Sequence, residues 1–313
     1  MTSKINKVAV VGTGGIGGSW VAYFLSRGLD VVAIDPAPGE EADLRKRVDL
    51  AWESLKDDLV PGASRARLTF NANLDEAVAD VDFVQENTPE RIEIKHDIFR
   101  RMDAASRPDT LLVSSSSSLL VTDMQSTCKH PERVVLGHPF NPPHIIPLVE
   151  VVGGKKTSED AIARTIAFYR EIGRKPIRLK KEIFGHVANR LQSALWREAF
   201  HLVVDGVISA EDLDLAITEG PGVRYAVQGP FITFHVAGRD GGFAATLKHM
   251  GPPTEAMMAA LTTRPFTDED RKALVDAAKE MVGDREIESL TRYRNNALSE
   301  IVKAKKAAES FKG

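Results

Sequence analysis

The segment that most constrains this chain lies at its start. Val8-Ala9-Val10-Val11 is an apolar run, Gly12-Thr13-Gly14-Gly15-Ile16-Gly17 follows at once, and a second apolar run from Val31 to Ile34 ends at Asp35. The order is buried strand, glycine turn, helix, strand, acid. A pyrophosphate needs backbone N–H groups brought close to it, and glycine's missing side chain permits that approach. Gly12 suits the tight turn, Gly14 the close approach to phosphate, and Gly17 the packing of helix on strand. The helix starting near Gly15 points its partial positive end at the anion. A glycine turn alone is weak evidence. With the flanking strand and helix, and an acid 23 residues after Gly12, it predicts a dinucleotide site formed by Gly12, Thr13, Gly14, Gly15, Ile16 and Gly17.

Asp35 bears on which dinucleotide. Its carboxylate would accept hydrogen bonds from the adenosine ribose and repel a 2′-phosphate. Pro36-Ala37-Pro38-Gly39-Glu40-Glu41 follows, with no basic residue before Arg45. The expected cofactor is NAD.

The 313 residues suffice for two domains, each with its own core. With 41 basic and 44 acidic residues the net charge is −3, which gives no reason to expect nucleic acid or an anionic membrane as partner. The single cysteine, Cys128, precludes an internal disulfide and fits a reducing compartment. The chain runs into a strand almost at once and has no apolar run near the roughly 20 residues that span a bilayer. A cytoplasmic protein without a membrane segment is the expectation, and no metal site is expected.

Short apolar runs alternate with helix-like segments up to about Leu179, as in a doubly wound α/β sheet. Strands are expected at Leu68–Phe70, Val81–Gln85, Thr110–Ser114, Val134–Gly137, Val149–Val152 and Ile177–Leu179. From Gly39 to Val60 a long helix carries Leu44, Val48, Ala51, Leu55 and Leu59 on one face. Beyond Ile183 the pattern is helical only. The expected layout is a Rossmann-type domain at 1–182 and a smaller all-helical domain at 183–313.

Three further segments stand out. Val134 to Gly137 leads through His138-Pro139-Phe140-Asn141-Pro142-Pro143 to Leu148-Val149-Glu150-Val151-Val152, two strands whose turn could set His138 beside Glu150. A carboxylate on one imidazole nitrogen fixes the tautomer and leaves the other nitrogen for proton transfer. Ser114 to Ser118 lies at the carboxyl end of a strand, where open α/β sheets bind ligands. Gly185-His186-Val187-Ala188-Asn189-Arg190-Leu191 begins the helical part, and Asn189 there could bond a substrate oxygen. Each feature by itself also suits a purely structural role; together they carry more.

Ser117, His138, Glu150 and Asn189 match in order and spacing the L-3-hydroxyacyl-CoA dehydrogenase superfamily, which the chain resembles over nearly its whole length. The shared motifs are Gly137-His138-Pro139-Phe140-Asn141-Pro142, Leu148-Val149-Glu150-Val151-Val152 and Asn189-Arg190-Leu191. Within it the chain resembles the L-carnitine dehydrogenase and lambda-crystallin/L-gulonate 3-dehydrogenase groups more than the CoA-thioester enzymes, through Asp35 to Gly39, Leu195 to Ala199, Arg224 to Ala226 and Thr233 to Gly238.

The resemblance implies specific roles. His138 would take the proton of a C3 hydroxyl, Glu150 would orient it, and Ser117 and Asn189 would bond the reacting oxygen. Asn141, Glu90 and Lys95 would lie near the nicotinamide, although Glu90 and Lys95 also read as a pair on a solvated helix. Arg224, matched in the free-acid groups, would grip a substrate carboxylate through two parallel hydrogen bonds. The substrate would then be a small free 3-hydroxy acid, carnitine-like or gulonate-like, and the protein a homodimer. For a carnitine-like cation Tyr225, Phe231, Phe234 and Phe243 could form an aromatic cage; for a polyhydroxy acid Gln228, Thr233, His235 and His144 are available. An L-3-hydroxyacyl-CoA dehydrogenase, with Arg45, Lys46, Arg47 and Lys56 for CoA phosphates, is the alternative enzyme. A non-catalytic NAD(H)-binding structural or sensing protein is the alternative of another kind.

Overall fold

In the structure, a computed structural model that describes residues 4–309, one eight-stranded sheet organises the first half of the chain. Its strands are β1 Lys7–Val11, β2 Asp30–Ile34, β3 Leu68–Phe70, β4 Phe83–Glu86, β5 Leu111–Ser114, β6 Val134–Pro139, β7 Leu148–Gly153 and β8 Lys175–Arg178. They lie in the order β3-β2-β1-β4-β5-β6-β7-β8. All neighbours are parallel except β6 and β7. Every strand expected from the apolar runs is present.

Helices cover both faces, which is why the central strands are apolar on both sides. Val8, Val10, Val31, Ala33 and Val113 face one core with Trp20, Phe24, Phe168 and Tyr169. The last four belong to helices α1 Gly15–Ser26 and, further on, Glu159–Glu171. Ala9, Val11, Val32, Ile34 and Leu112 point the other way, onto Phe99, Met102, Val121 and Met124. The period-two alternation of a strand divides each run between the two cores.

The remaining helices of this unit are α2 Glu40–Leu55, α3 Leu74–Val78, α4 Ile92–Ala105, α5 Val121–Met124 and α6, the Glu159–Glu171 helix. In α2, Leu44, Val48, Ala51 and Leu55 are buried as one stripe, and a 3₁₀ turn over Lys56–Asp58 replaces the end of the longer helix expected.

The chain divides into two units, Met1–Asn189 and Arg190–Gly313. The division falls seven residues beyond the expected 182. The reason is in the hydrogen bonds: Val187 N and Ala188 N donate to Glu150, and Asn189 Nδ2 donates to the Ser117 carbonyl, so this segment packs with the sheet. The second unit is helical in its described residues: α7 Ala188–Val204, which starts just before the division, then α8 Ala210–Thr218, α9 Pro221–Tyr225, α10 Pro230–Ala237, α11 Gly242–Ala260, α12 Asp268–Val282 and α13 Ile287–Ala308. Thr267 caps α12 in a reciprocal capping box with Asp270.

Candidate active site

The order of strands reverses between β1 and β4, and the carboxyl ends of strands at such a point are where open α/β sheets take ligands. The glycine turn sits there. Gly12 has φ +84°, and a Cβ on it would lie 2.8 Å from the Asn87 carbonyl oxygen; one on Gly17 would lie 1.9 Å from the Gly12 oxygen. Neither position tolerates a side chain. Above the loop the situation is the opposite: a Cβ on Gly14 or Gly15 would meet nothing within 4 Å. The open space lies over the first turn of α1, whose N–H groups lack helical partners. Thr13 is fully buried and Ile16 packs against the core. These residues fit a dinucleotide pyrophosphate.

Asp35, at the end of β2, accepts from Thr13 N at 3.0 Å and from Ala37 N at 3.0 Å. A carboxylate offers about four lone-pair sites, so acceptor capacity is left for a ribose hydroxyl. The structure alters the charge picture here. Arg47 folds back from α2 onto Glu40 and the Thr13 carbonyl, so a guanidinium does reach this end of the site. The run without basic residues after Asp35 did not reveal it.

At the carboxyl end of β4, Lys95 is not on a solvated face. It is 1% exposed and ion-paired with the fully buried Glu86, at 2.7 and 3.0 Å. The other partners of Glu86 are Ser114 Oγ at 2.6 Å and the amide and hydroxyl of Thr88, both at 2.5 Å. Glu86 escaped the sequence reading; its one signal was an acid closing an apolar strand. Glu90 instead organises the serine loop, accepting from Ser116 Oγ (2.6 Å), Ser118 N (2.8 Å), Ser118 Oγ (2.9 Å) and Leu119 N (3.2 Å). Burial opposes its charge, but these hydrogen bonds and the nearby Lys95 prevail and hold the carboxyl below its ordinary range.

His138 on β6 and Glu150 on β7 stand directly opposite in the antiparallel register, with Nδ1 2.9 Å from Oε2. The other Glu150 oxygen accepts from Val187 N at 2.9 Å and Ala188 N at 3.0 Å. Burial works against the Glu150 charge; the bonds from His138 and the two amides outweigh it and lower the pKa. With Nδ1 committed to Glu150, Nε2 is the nitrogen through which His138 can exchange a proton.

Asn189 joins this group through its bond to the Ser117 carbonyl at 3.2 Å. The Ser117 residue is exposed on the loop after β5, and Asn141 is exposed in the turn after β6. His186 was quoted in the Asn189 segment but given no role. It is 1% exposed, bonds the Ser116 carbonyl through Nε2 at 3.0 Å, and lies 5.1 Å from the His138 ring. Burial is the main cause that holds it below the ordinary histidine range. Thus the first unit brings Ser117, His138, Glu150 and Asn189 to one end of the sheet.

In the second unit Arg224 is exposed on α9, with its guanidinium 5.8 Å from the Tyr225 ring. A cavity of about 310 Å³ is lined by Phe231, Phe234, Phe243, Leu247, Met258 and Glu255, among others. Three of the four expected cage aromatics line it; Tyr225 does not. His144, by contrast, is buried in the first unit against Ser19 Oγ at 2.6 Å. The basic residues considered for CoA phosphates are each engaged by an acid of their own helix segment: Arg45 by Glu41, Lys46 by Asp43, Arg47 by Glu40 and Lys56 by Glu53. Burial pushes the Cys128 thiol up to about 12, which makes it a poor nucleophile. Among the described residues no group of three or more His, Cys, Asp or Glu could hold a metal ion, and no helix is long and apolar enough to cross a membrane.

Residues 7–183 match the family profile described as 3-hydroxyacyl-CoA dehydrogenase, NAD binding domain, and residues 185–282 match its C-terminal domain. The L-carnitine dehydrogenase of Streptomyces coelicolor is 46% identical over 307 residues, covering 97% of this chain and 96% of that protein. The L-carnitine dehydrogenase of Pseudomonas putida is 43% identical over 312 residues, 99% of this chain and 97% of that protein. Among solved structures, 5-formyl-3-hydroxy-2-methylpyridine 4-carboxylic acid 5-dehydrogenase, an NAD⁺-dependent dismutase, superimposes with a TM-score of 0.83 at 32% identity over 97% of this chain and 99% of that one.

Proposed function

The chain belongs to the 3-hydroxyacyl-CoA dehydrogenase family and is an NAD-dependent dehydrogenase, and from that premise we propose that it oxidises the 3-hydroxyl of a small free L-3-hydroxy acid, carnitine-like in the first instance, to the 3-keto acid. The observation that carries the chemistry is the His138–Glu150 pair, tied to two backbone amides through the far oxygen of Glu150. Nδ1–H donates to the carboxylate, so Nε2 is the basic nitrogen and accepts the proton of the substrate hydroxyl. Glu150 stays ionised and stabilises the imidazolium that forms. Ser117 and Asn189 hold the reacting oxygen. Bound NAD supplies the hydride acceptor. Gly12 to Gly17 and Asp35 would hold its pyrophosphate and ribose, with Glu90 and Asn141 toward its nicotinamide; Lys95, also expected there, is sealed against Glu86 and has almost no surface to offer it.

The free acid is favoured over the thioester on two grounds. Arg224 is exposed and no carboxylate of the described residues pairs with it, so its fork is available to a substrate carboxylate. The relatives matched over nearly full length are L-carnitine dehydrogenases by name. A trimethylammonium group suits the aromatic cavity with Glu255 at its wall, since a cation is attracted to ring faces and to a carboxylate. A second copy of the chain is the partner proposed for the helical unit. Leu191, Leu195, Trp196 and Phe200 of α7 are exposed, as are Phe231, Ile232 and Val236 of α10.

The test is NADH formation with L-carnitine, L-gulonate, L-3-hydroxybutyrate and L-3-hydroxybutyryl-CoA. Turnover of L-carnitine above the other three is the expected result. Preference for the thioester would move the chain to the CoA branch, and turnover of none would refute the 3-hydroxy acid reading.

A further inference from the structure

We propose that Glu40 is a second determinant of cofactor choice, which denies Arg47 to a phosphate on the adenosine ribose. The inference rests on NAD binding and is independent of the substrate reading. Glu40 is the first residue of α2 and Arg47 lies seven positions on, two turns along the same face. Their side chains meet: Arg47 Nη1 donates to Glu40 Oε1 and also, at 3.1 Å, to the carbonyl of Thr13 in the glycine loop. The Arg47 stem lies over the start of α1, where a Cβ on Gly18 would sit 3.3 Å from Arg47 Cδ. The guanidinium is therefore folded against the cofactor loop rather than free in solvent.

Thr13 joins this pair to Asp35. Its Oγ1 is 3.3 Å from Asp35 Oδ2 and 3.2 Å from Glu40 Oε1. A hydroxyl has one proton to donate, so it satisfies one carboxylate at a time; Arg47 pairs with Glu40, and Asp35 is met by the Thr13 and Ala37 amides. Two carboxylates and one guanidinium leave the adenosine end with a net negative charge. The neutral ribose of NAD meets Asp35 without penalty. A 2′-phosphate would meet two acids, and the one arginine suited to receive it is held by its own helix.

Removing Glu40 changes both conditions together. The local charge becomes neutral, and the Arg47 fork is released. Asp43, one turn before Arg47, is exposed and already pairs with Lys46, and a solvated pairing there competes weakly with a phosphate.

The experiment is a fluorescence titration of NADH and NADPH with the wild type, Glu40→Ala, Arg47→Met and the double variant. Glu40→Ala is expected to tighten NADPH about tenfold relative to NADH, with Asp35 in place. In the double variant the gain should shrink to about twofold. An unchanged ratio in Glu40→Ala overturns the proposal; so does an equal gain in the double variant, which would make charge removal sufficient and Arg47 a bystander. If Glu40→Ala binds NADH poorly because the loop is damaged, the isosteric Glu40→Gln decides. It should show a gain of the same sign, and its absence overturns the proposal equally.

Discussion

His138 and Glu150 face each other across the one antiparallel step of the sheet, and their contact follows from register: Nδ1 and Oε2 are 2.9 Å apart. Side chains directly opposite in an antiparallel pair share a face and lie within reach of each other. Glu150 is then held from behind by Val187 N and Ala188 N, so the imidazole has little freedom to turn. Glu150→Gln should lower kcat by about 10²- to 10⁴-fold while NADH binding, read by fluorescence, changes little. An unchanged kcat would remove Glu150 from the proton-transfer machinery.

The Glu86–Lys95 pair is sealed from solvent, at 0% and 1% exposure. Removing one partner strands the other as a buried charge. Lys95→Met is therefore expected to cost about 3–5 kcal/mol in urea unfolding, and the double change Glu86→Gln with Lys95→Met to recover part of the loss. A loss under about 1 kcal/mol in the single variant would show that water reaches Glu86.

Acid stability should follow Asp103, Glu90 and Glu150. Burial opposes the charge of each, but hydrogen bonds prevail: Arg133 with the His130 and Lys129 amides for Asp103, and the partners already described for the other two. A carboxyl lowered in the folded state stabilises it fully above the unfolded value of about 4 and loses that contribution as pH falls through the folded value. Tm should be nearly flat from about pH 7 to 5 and fall below about pH 4. Asp103→Asn should lower Tm at neutral pH and flatten the acid fall; an acid limb as steep as the wild type's would contradict this.

Arg224→Met tests the carboxylate grip. Loss of a bidentate charged contact that holds substrate and transition state alike should raise KM for the best acid about 10- to 100-fold, with kcat nearly unchanged. A thioester substrate, if any is turned over, should be indifferent to the change.

Sedimentation equilibrium should report about twice the 34.2 kDa chain mass. Leu195→Glu, on the exposed stripe of α7, should shift it toward the single chain. A wild type that stays at one chain mass at micromolar concentration would rule out the second copy.

Much of the cofactor half was legible because its signals are local. Apolar runs of strand length, glycines at fixed offsets and an acid closing β2 depend on neighbours within about 25 positions. The His138–Glu150 contact belongs to the same class, since two strands joined by a short turn bring residues 12 apart into register. The resemblance picked Ser117 out of the serine run and set it with Asn189, already a candidate at the start of the helical part; the two segments lie 72 residues apart and meet only in the fold. Lys95 has neither the exposed place of a helix lysine nor a surface turned to a cofactor, since it is buried against Glu86. Its burial depends on Glu86, on another element, being buried too.

Periodicity and short-range spacing thus encode the doubly wound sheet, the glycine turn, the acid that closes β2 and the histidine–glutamate pair. The folded chain settles the remaining partners. It paired Lys95 with Glu86, wrapped the serine loop around Glu90, set the Val187 and Ala188 amides on Glu150, and folded Arg47 onto Glu40 beside Thr13. The serine loop on Glu90 and the two amides on Glu150 join elements 26 to 38 residues apart, while Arg47–Glu40 and Lys95–Glu86 are near in the chain but depend on burial and on which of several neighbouring charges each side chain turns to. The strand crossovers fix those distances, and no local pattern of residues records them.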